Sequence, residues 1–335
     1  MADKILSFGS LNIDYVYSVD HFVQKGETLA SSALEIFSGG KGLNQSVALG
    51  RAGAEVFHAG AVGPDGQFLV DLLQEAGVDT HLVKRLESVR TGNAIIQRDP
   101  EGNNCILLYG GANQAITREQ VKESLEGFGA GDYIVLQNEI NQMPFLMEQA
   151  HAKGMHIVLN PSPMNGRIFE MPLGCVDYLI LNEVEAAQIL EADTPALGDE
   201  KAALGDEKAA LGDEKTALGG EKMGEAMAEL LKKKFPRSRI VLTLGEKGAV
   251  YCGEETRIRQ PAYAVRAMDT TAAGDTFTGY FIAGISRGMS AEEALDTASR
   301  AAAIAVTKPG AAPSIPAWEQ VQDWNPTPAA APAIH

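Results

Sequence analysis

The sequence predicts an α/β fold in which a mostly parallel sheet is covered by helices on both faces. Short apolar runs of strand length alternate with helix-like segments from Glu55 onward, an order typical of βαβ units. Polar residues repeatedly follow these predicted strands, at the edge where open α/β sheets bind ligands. Two strand-rich stretches, within residues 15–38 and 92–110, do not fit this alternation. We expect them to form a small separate sheet.

The predicted elements follow from apolar spacing and from the glycines and prolines that interrupt it. Strands of the main sheet are predicted over residues 4–10, 55–60, 133–137, 156–159, 178–181, 240–244 and 249–251. Helical spacing predicts helices over residues 45–52, 66–76, 118–128 and 143–153. A hairpin joins residues 94–97 to residues 105–108 through Asp99-Pro100-Glu101-Gly102.

Composition excludes several classes of protein. The 335 residues are 45% apolar, enough for a sizeable core, and the net charge of −16 argues against a nucleic-acid or anionic-membrane partner. Cys105, Cys175 and Cys252 form no CxxC pair, as expected of reduced thiols. Neither a signal-peptide pattern nor an apolar run of membrane-spanning length is present. We therefore expect a cytoplasmic protein.

Two segments stand outside this pattern. Four seven-residue copies (ALGDEKA, ALGDEKA, ALGDEKT, ALGGEKM) run from Ala196 to Met223. Each contains glycine, which costs about 1 kcal/mol relative to alanine in a helix. This favours a solvated low-complexity insertion, partly helical at most, over a partner-binding helix. Residues 1–318 are expected to form one domain, and residues 319–335 a tail that is disordered toward its Ala- and Pro-rich end.

The segment Asp269-Thr270-Thr271-Ala272-Ala273-Gly274-Asp275 carries the strongest chemical signal. Small residues precede a helix-compatible stretch, so several backbone N–H groups and a helix dipole point toward one place, which suits an anion. Asp275 falls in the first turn, where a carboxylate is often a plain N-terminal cap. Because two alanines and a glycine crowd against it, we interpret the segment as a phosphate cradle with a base beside it.

A second glycine-rich turn, Ser38-Gly39-Gly40-Lys41-Gly42-Leu43-Asn44, matches neither the Walker A loop nor the GxGxxG dinucleotide fingerprint. Polar groups also follow the ends of predicted strands, at Asn12, Asp14, Glu139, Asn182, Glu185 and Thr243. The sequence contains no hydrolase nucleophile motif and no HExxH or CxxC metal pattern. Phosphoryl transfer fits best, since it needs anion-binding amides, acidic groups for a metal and a base for the acceptor hydroxyl.

Together these motifs, with Asn182-x-x-Glu185 and Thr243-Leu244-Gly245, resemble those of the ribokinase-like (PfkB-type) sugar kinases from about Ile5 to Pro316. The resemblance implies a three-layer α/β domain with a small β-sheet lid that closes over the sugar and pairs with a second subunit. It implies ATP-dependent phosphorylation of D-ribose at its 5-hydroxyl, with Mg²⁺ and an activating K⁺. Competing hypotheses are a kinase of another sugar or of a nucleoside, and a catalytically silent sugar-binding protein.

The resemblance also implies roles for individual residues. Asp275 is the expected base, and the amides of Ala272, Ala273, Gly274 and Asp275 form the expected anion hole. The expected sugar-binding positions are Asn12, Ile13, Asp14, Gly40, Lys41, Gly42, Leu43, Asn44 and Glu139. The expected nucleotide-binding positions are Asn182, Thr243, Leu244, Gly245, Glu246, Lys247, Gly248, Gly274, Asp275 and Ser299. Glu185 would organise Mg²⁺, and the K⁺ positions are Asp269, Thr271, Ala305, Lys308, Gly310 and Ser314. The chain departs from the usual family pattern at Ser299 and Pro309.

Overall fold

The computed structural model describes residues 3–192 and 220–325. Its large sheet has nine strands in the order β13-β12-β11-β10-β9-β8-β1-β4-β5. These are β1 Ile5–Phe8, β4 Val56–Val62, β5 Asp79–Arg85, β8 Tyr133–Gln137, β9 His156–Asn160, β10 Tyr178–Asn182, β11 Arg239–Thr243, β12 Ala249–Cys252 and β13 Arg257–Gln260. The seven neighbouring strands β11, β10, β9, β8, β1, β4 and β5 run parallel, and β12 is antiparallel to both of its neighbours.

Helices cover both faces of the large sheet. In the described ranges they are α1 Lys41–Arg51, α2 Gln67–Glu75, α3 Arg118–Ser124, α4 Met143–Ala152, α5 Glu183–Glu191, α6 Gly220–Lys234, α7 Ala273–Ser286, α8 Ala291–Ala305 and α9 Trp318–Asp323. Neighbouring residues of β1 point to opposite faces: Leu6 lies in one apolar cluster and Ile5 in the other. Both are fully buried, as expected for a strand covered on both sides.

Each apolar cluster fixes a set of helices. The Leu6 cluster holds α3 through Val121 and α6 through Leu231, whereas the Ile5 cluster holds α1 through Val47 and α7 through Phe281. Helices α1 and α7 therefore pack on the same face. At their contact a Cβ on Gly279 would lie 2.4 Å from the Ala48 Cβ, so a glycine is needed for this close approach.

The small sheet has the order β3-β2-β6-β7, with β2 Asn12–Ser18, β3 Ala33–Gly39, β6 Gly92–Arg98 and β7 Asn104–Tyr109. Only β2 and β6 pair in parallel. Large apolar side chains of this sheet are exposed, namely Leu34, Ile36, Phe37, Ile95, Ile106, Leu107, Leu108 and Tyr109. Strand pairing places five of them, Leu34, Ile36, Ile95, Leu107 and Tyr109, on one face of the sheet, and an exposed apolar face of this kind is typical of an interaction site.

The predicted α/β architecture with a small additional sheet is confirmed. Strands β5 and β13 and helix α8 were not predicted, and α1 begins at Lys41 rather than at residue 45. Most of the repeat lies outside the described residues. Its last four residues begin α6, where Met223 packs against the core, and α9 extends the fold beyond residue 318. The tail after residue 325 is not described, and no helix in the described ranges is long and apolar enough to cross a membrane.

Candidate active site

The carboxyl ends of neighbouring parallel strands bring the predicted polar residues to one edge of the large sheet. Strands β1, β8, β9, β10 and β11 are consecutive in the sheet. They are followed by or end at Ser10, Glu139, Asn160, Asn182 and Thr243 respectively. Helices α1 and α7 begin at the same edge, because the glycine turn leads into α1 and the Asp269–Asp275 segment leads into α7.

Asp275 is the third residue of α7 but does not cap that helix. The residue before the helix, Ala272, adopts a left-handed conformation (φ 59°), and α7 has no side-chain cap. The Asp275 carboxylate instead faces α1, where Oδ2 accepts a hydrogen bond from Asn44 Nδ2 (3.0 Å) and Oδ1 accepts one from Gln45 Nε2 (2.9 Å). Asp275 is only 7% exposed. The capping interpretation is therefore not supported, and the carboxylate is available to a ligand at the start of the helix.

The backbone at the start of α7 provides the anion-binding groups. In the described part of the chain, the N–H groups of Ala272, Gly274 and Asp275 have no hydrogen-bond partner. The Ala273 N–H differs from the prediction because it donates to the Thr270 carbonyl (3.2 Å). Three amides, rather than four, are thus free, and they lie at the positive end of a 14-residue helix.

The glycine turn packs the start of α1 against the end of β1. Gly40 has φ 95°, a conformation that favours glycine. A Cβ on Gly42 would lie 2.3 Å from the Ser10 backbone nitrogen, so no larger residue fits. The Leu43 N–H donates to the Ser10 carbonyl (2.9 Å). These contacts place Asn44 and Gln45, one helical turn later, beside Asp275.

Glu139 joins the β8 edge to this turn. Its Oε2 accepts hydrogen bonds from the Lys41 N–H (2.8 Å) and from the Ser10 hydroxyl. Ser10 Oγ in turn accepts a hydrogen bond from the Gly42 N–H (3.2 Å). Burial raises the pKa of Glu139, although the hydrogen bonds from Ser10 and Lys41 oppose this effect. Ser10 was not predicted as a site residue, since a serine after a strand gives no signal of its own.

Asn12 and Asp14 come from β2 of the small sheet. Asn12 Oδ1 accepts a hydrogen bond from Asn113 Nδ2 (2.8 Å), which fixes the amide. Burial and the nearby charge of Glu139 raise the pKa of Asp14 to about 6. Two other predicted sugar-binding residues, Ile13 and Leu43, have side chains buried in the apolar core. Neither they nor Asp14, Gly40, Gly42 and Asn44 line the two cavities described below.

Lys41 connects the part of the site around Glu139 to the part around Asp275. Burial lowers the pKa of its ammonium group, but the negative charges of Asp275, Glu139 and Glu185 outweigh burial and raise that pKa above its ordinary value. Lys41 therefore stays positively charged at neutral pH. A fixed cation among three carboxylates offsets their mutual repulsion and attracts a phosphate.

A cavity of about 220 Å³ lies between α7 and strands β9 to β11. Predicted residues that line it are Lys41, Asn182, Glu185, Thr243, Ala272, Ala273, Gly274 and Asp275; Asn160, Ser162, Thr270 and Thr278 also line it and were not predicted. Asn160 and Ser162 follow a strand end in the same way as Asn182, so that rule could have found them. Leu244 to Gly248 and Ser299 were predicted as nucleotide-binding but do not line this cavity.

A second cavity, of about 340 Å³, contains Asn12 and Glu139. Its other walls are Leu108, Tyr109, Gly110, Asn113, Gln114, Asn138, Pro163, Asn165 and Arg167. Leu108 and Tyr109 belong to β7 of the small sheet, whereas Asn138 and Glu139 follow β8 of the large sheet. This cavity therefore lies between the two sheets. The hydrogen bond from the Lys41 N–H to Glu139 connects the two cavities, because Lys41 lines the first and Glu139 the second.

Glu185 is the candidate magnesium residue. Asn182 and Glu185 form a capping box at the start of α5, in which the Asn182 N–H donates to Glu185 Oε2 (3.0 Å) and the Glu185 N–H donates to Asn182 Oδ1 (2.9 Å). The described residues contain no group of three or more His, Cys, Asp or Glu side chains that could hold a metal ion. One carboxylate beside a phosphate cavity fits Mg²⁺, which usually keeps several waters and binds through substrate phosphates.

The predicted K⁺ positions come from two segments that Asp269 ties together. Its Oδ1 accepts a hydrogen bond from the Thr271 N–H (2.9 Å), and its Oδ2 accepts one from the Gly310 N–H (2.9 Å). Burial raises the pKa of Asp269, but these hydrogen bonds outweigh it and lower the pKa below its usual range. Gly310 has φ 85°, so the Lys308-Pro309-Gly310 turn reaches Asp269 with proline at position 309. An ionised oxygen ligand within a turn rich in backbone carbonyls suits a hard cation.

Comparison with known proteins gives a consistent result. The model of the pfkB family carbohydrate kinases matches residues 2–318. A ribokinase from Staphylococcus aureus (strain COL) is 31% identical over 331 residues, covering 96% of this chain and 99% of that protein. A crystal structure of ribokinase from Cryptococcus neoformans with ADP superposes with a TM-score of 0.79 at 30% identity, covering 96% of this chain and 99% of that chain. The Arabidopsis thaliana ribokinase complexed with ribose and ATP gives a TM-score of 0.78 at 26% identity, covering 96% and 98%.

Proposed function

Because this chain belongs to the pfkB family of carbohydrate kinases, we propose that it is a ribokinase, which transfers the γ-phosphoryl group of ATP to the 5-hydroxyl of D-ribose. The observation that carries this proposal is the position of Asp275. Its carboxylate lies at the start of α7, next to three unpartnered amides, and lines the 220 Å³ cavity together with Lys41, whose N–H donates to Glu139 of the second cavity. A base is needed at that point if a hydroxyl from one cavity attacks a phosphate in the other.

In the proposed reaction, the 5-oxygen of ribose attacks the γ-phosphorus while its proton passes to the Asp275 carboxylate. A new O–P bond forms, the bond between the γ-phosphorus and the bridging oxygen breaks, and ADP leaves with that electron pair. The N–H groups of Ala272, Gly274 and Asp275 donate hydrogen bonds to the transferring group. Lys41 adds a positive charge on the same side. These fixed dipoles and charges stabilise the transition state without reorganisation.

The sugar is proposed to bind between the glycine turn and β2. Asp14 and Glu139 accept hydrogen bonds from its hydroxyls, while Asn12 and the backbone of Gly40 and Gly42 fix its orientation. The Asn44 Oδ1 atom is buried and has no hydrogen-bond partner among the described residues. Since unpaired buried acceptors are costly, this oxygen is suited to a sugar hydroxyl.

The remaining groups are assigned to ATP and its cations. Asn182, Thr243 and the turn from Leu244 to Gly248 bind the nucleotide, with Ser299 near the adenine. Glu185 would hold Mg²⁺, which when bound would neutralise phosphate charge. Asp269, Thr271, Ala305, Lys308, Gly310 and Ser314 would hold K⁺, which would fix the turn that leads to the anion hole.

We further propose that two copies pair through the exposed apolar face of the small sheet in the cytoplasm. The residues concerned include Ile36, Leu107 and Tyr109, which strand pairing places on one face and which are each more than half exposed in a single chain. Covering this face would remove its apolar side chains from water and would brace the strands that close over the sugar.

The proposed function is tested by measuring ATP-dependent phosphorylation of a panel of pentoses, hexoses and nucleosides with Mg²⁺ present. D-Ribose is expected to have the highest kcat/KM, with ribose 5-phosphate as the product. A nucleoside or hexose preferred more than tenfold would refute the ribose assignment and leave the kinase fold standing. Absence of transfer to every acceptor would favour a silent sugar-binding protein.

A further inference from the structure

Behind Asp275 lies a chain of buried side-chain amides that the proposed reaction does not use directly. Gln45 Nε2 donates to Asp275 Oδ1 (2.9 Å), and Gln45 Oε1 accepts a hydrogen bond from Gln137 Nε2 (2.8 Å). Gln45 and Gln137 are both 0% exposed. The chain connects the last residue of β8 to α1 and α1 to α7, so it links three separate elements of the fold.

The direction of these hydrogen bonds is fixed by the carboxylate. An ionised carboxylate only accepts hydrogen bonds, so Gln45 must turn its NH₂ group toward Asp275 and its oxygen toward Gln137. Gln137 must then present its own NH₂ group to Gln45. The other end of the Gln137 amide, Oε1, has no hydrogen-bond partner among the described residues. It packs against Gly9, and a Cβ added to Gly9 would lie only 2.2 Å from this oxygen. The amide is therefore sterically confined.

Burial of two amides in this arrangement needs an explanation, because an apolar residue of similar size would fill the same space without an unsatisfied oxygen. Neither glutamine lines the phosphate cavity or the sugar cavity. Both ends of the Gln45 amide are also taken by protein partners, so the pair lies behind the carboxylate and leaves the side toward the substrate to other residues. The glutamine pair holds Oδ1 of Asp275 at a fixed position. Asn44 holds Oδ2, but its own side-chain oxygen is also proposed to bind the sugar.

We propose that Gln45 is a positioning residue for Asp275 and that Gln137 orients Gln45. This rests on the proposed function, in which Asp275 takes the proton of the acceptor hydroxyl. With Oδ1 held by Gln45, the carboxylate plane cannot rotate, and a lone pair of the other oxygen stays directed at the substrate. A base that rotates by even a fraction of its range loses catalytic efficiency, since proton transfer depends on a positioned acceptor.

The test compares Gln45→Leu, Gln137→Leu and the double variant with Gln120→Leu as a matched control. Gln120 is also a buried glutamine, and its Nε2 donates to the Gly60 carbonyl (2.7 Å) away from both cavities. Gln45→Leu should lower kcat by roughly 10–100-fold, the range typical when a supporting contact of a reacting group is removed. The KM values for ribose and ATP should stay within about threefold, and Gln137→Leu should show a smaller loss of kcat.

The double variant separates positioning from stability. Replacing both glutamines by leucine leaves no amide of the pair unpaired, so the melting temperature should rise relative to Gln45→Leu, whereas kcat should remain as low as in Gln45→Leu. Because Gln137 acts through Gln45, the two losses should not multiply. A kcat that recovers together with the melting temperature would overturn the proposal, as would an equal loss of kcat in Gln120→Leu.

Two further outcomes keep the inference distinct from the proposed function. If Asp275→Asn is inactive but folded Gln45→Leu and Gln137→Leu keep wild-type kcat, the positioning role is wrong and the proposed function stands. If Asp275→Asn keeps wild-type kcat, the base assignment fails and the positioning role fails with it. Should Gln45→Leu not fold, the double variant decides, because it removes the hydrogen bond to Asp275 without leaving Gln137 unpaired, and a wild-type kcat in that variant would overturn the proposal.

Discussion

Replacing Asp14 by asparagine should make the protein more stable at neutral pH while weakening sugar binding. The carboxyl of Asp14 lies on β2 against Gly39 and near Glu139, and no hydrogen bond to it is found in the described residues. Burial, followed by repulsion from Glu139, raises its pKa from the ordinary value of 3.8 to about 6. One pKa unit corresponds to about 1.4 kcal/mol, so ionised Asp14 costs the folded state about 3 kcal/mol.

The sign of the pH dependence follows from this direction. Because the folded-state pKa is the higher one, the folded protein binds this proton more tightly than the unfolded chain. The contribution of Asp14 to the free energy of unfolding is therefore most favourable below about pH 4 and is lost as the pH rises through about 6. Asp14→Asn should match the wild type near pH 4 and exceed it by up to about 3 kcal/mol at pH 7 and above.

The assay is urea unfolding of both proteins between pH 4.5 and 8, with ribose KM measured beside it. The exposed Asp20, in the loop after β2, provides the control Asp20→Asn, for which we expect no such trend. Loss of a charged acceptor should raise the ribose KM by about tenfold or more, since such hydrogen bonds contribute about 1.5–3 kcal/mol. An Asp14→Asn variant that is no more stable than the wild type at pH 7 would refute the reasoning.

Three other expectations concern the parts of the molecule around the site. Activity should be higher in K⁺ than in a bulky organic cation at matched ionic strength. Asp269→Ala should abolish this difference, because Asp269 joins the two predicted cation-binding segments. Equal rates of the wild type in both salts would contradict the prediction. Removing residues 196–219 should leave kcat nearly unchanged, because charged heptads that contain glycine have little apolar surface to bury and halving a loop changes its closure free energy by only about 0.6 kcal/mol. The deletion stops before Met223, which packs against the core. A variant that fails to fold would count against a solvated insertion. Leu107→Glu, on the exposed face of the small sheet, should shift the mass measured by light scattering from that of a dimer to that of a monomer. The control Phe68→Glu on α2 should not change this mass. A monomeric wild type would disprove pairing through the small sheet.

The sequence predicted best where a residue and its neighbours along the chain carry the signal. The segment before Asp275 and the glycine turn before Asn44 each form a helix start, and both lie at the predicted site. The alternation of apolar runs predicted the large sheet for the same reason. In contrast, β5 (DTHLVKR) and β13 (RIRQ) are polar, because each forms an edge of the sheet and is covered less completely than the central strands.

Contacts between distant residues could not be predicted in this way. Gln45 and Gln137 are separated by 92 positions and Gln45 and Asp275 by 230, so a glutamine in a helix or at a strand end gives no sign of its partner. Ser10 is a similar case, since its hydrogen bond to Glu139 spans 129 positions. Ile13 and Leu43 show a different limit: they lie inside site motifs, but the alternation of β2 and the packing of α1 turn their side chains into the core.

Turnover by Asp275→Asn, measured with ribose affinity and thermal melting, tests the account most directly. The substitution keeps the size of the side chain, but its NH₂ group can no longer accept one of the hydrogen bonds from Asn44 and Gln45, so a modest loss of stability is expected. Without a base the proton of the acceptor hydroxyl has no receiver, and kcat should fall by roughly 10²–10⁴-fold. Ribose should still bind. A folded variant that binds ribose and forms ribose 5-phosphate at the wild-type kcat would contradict the account.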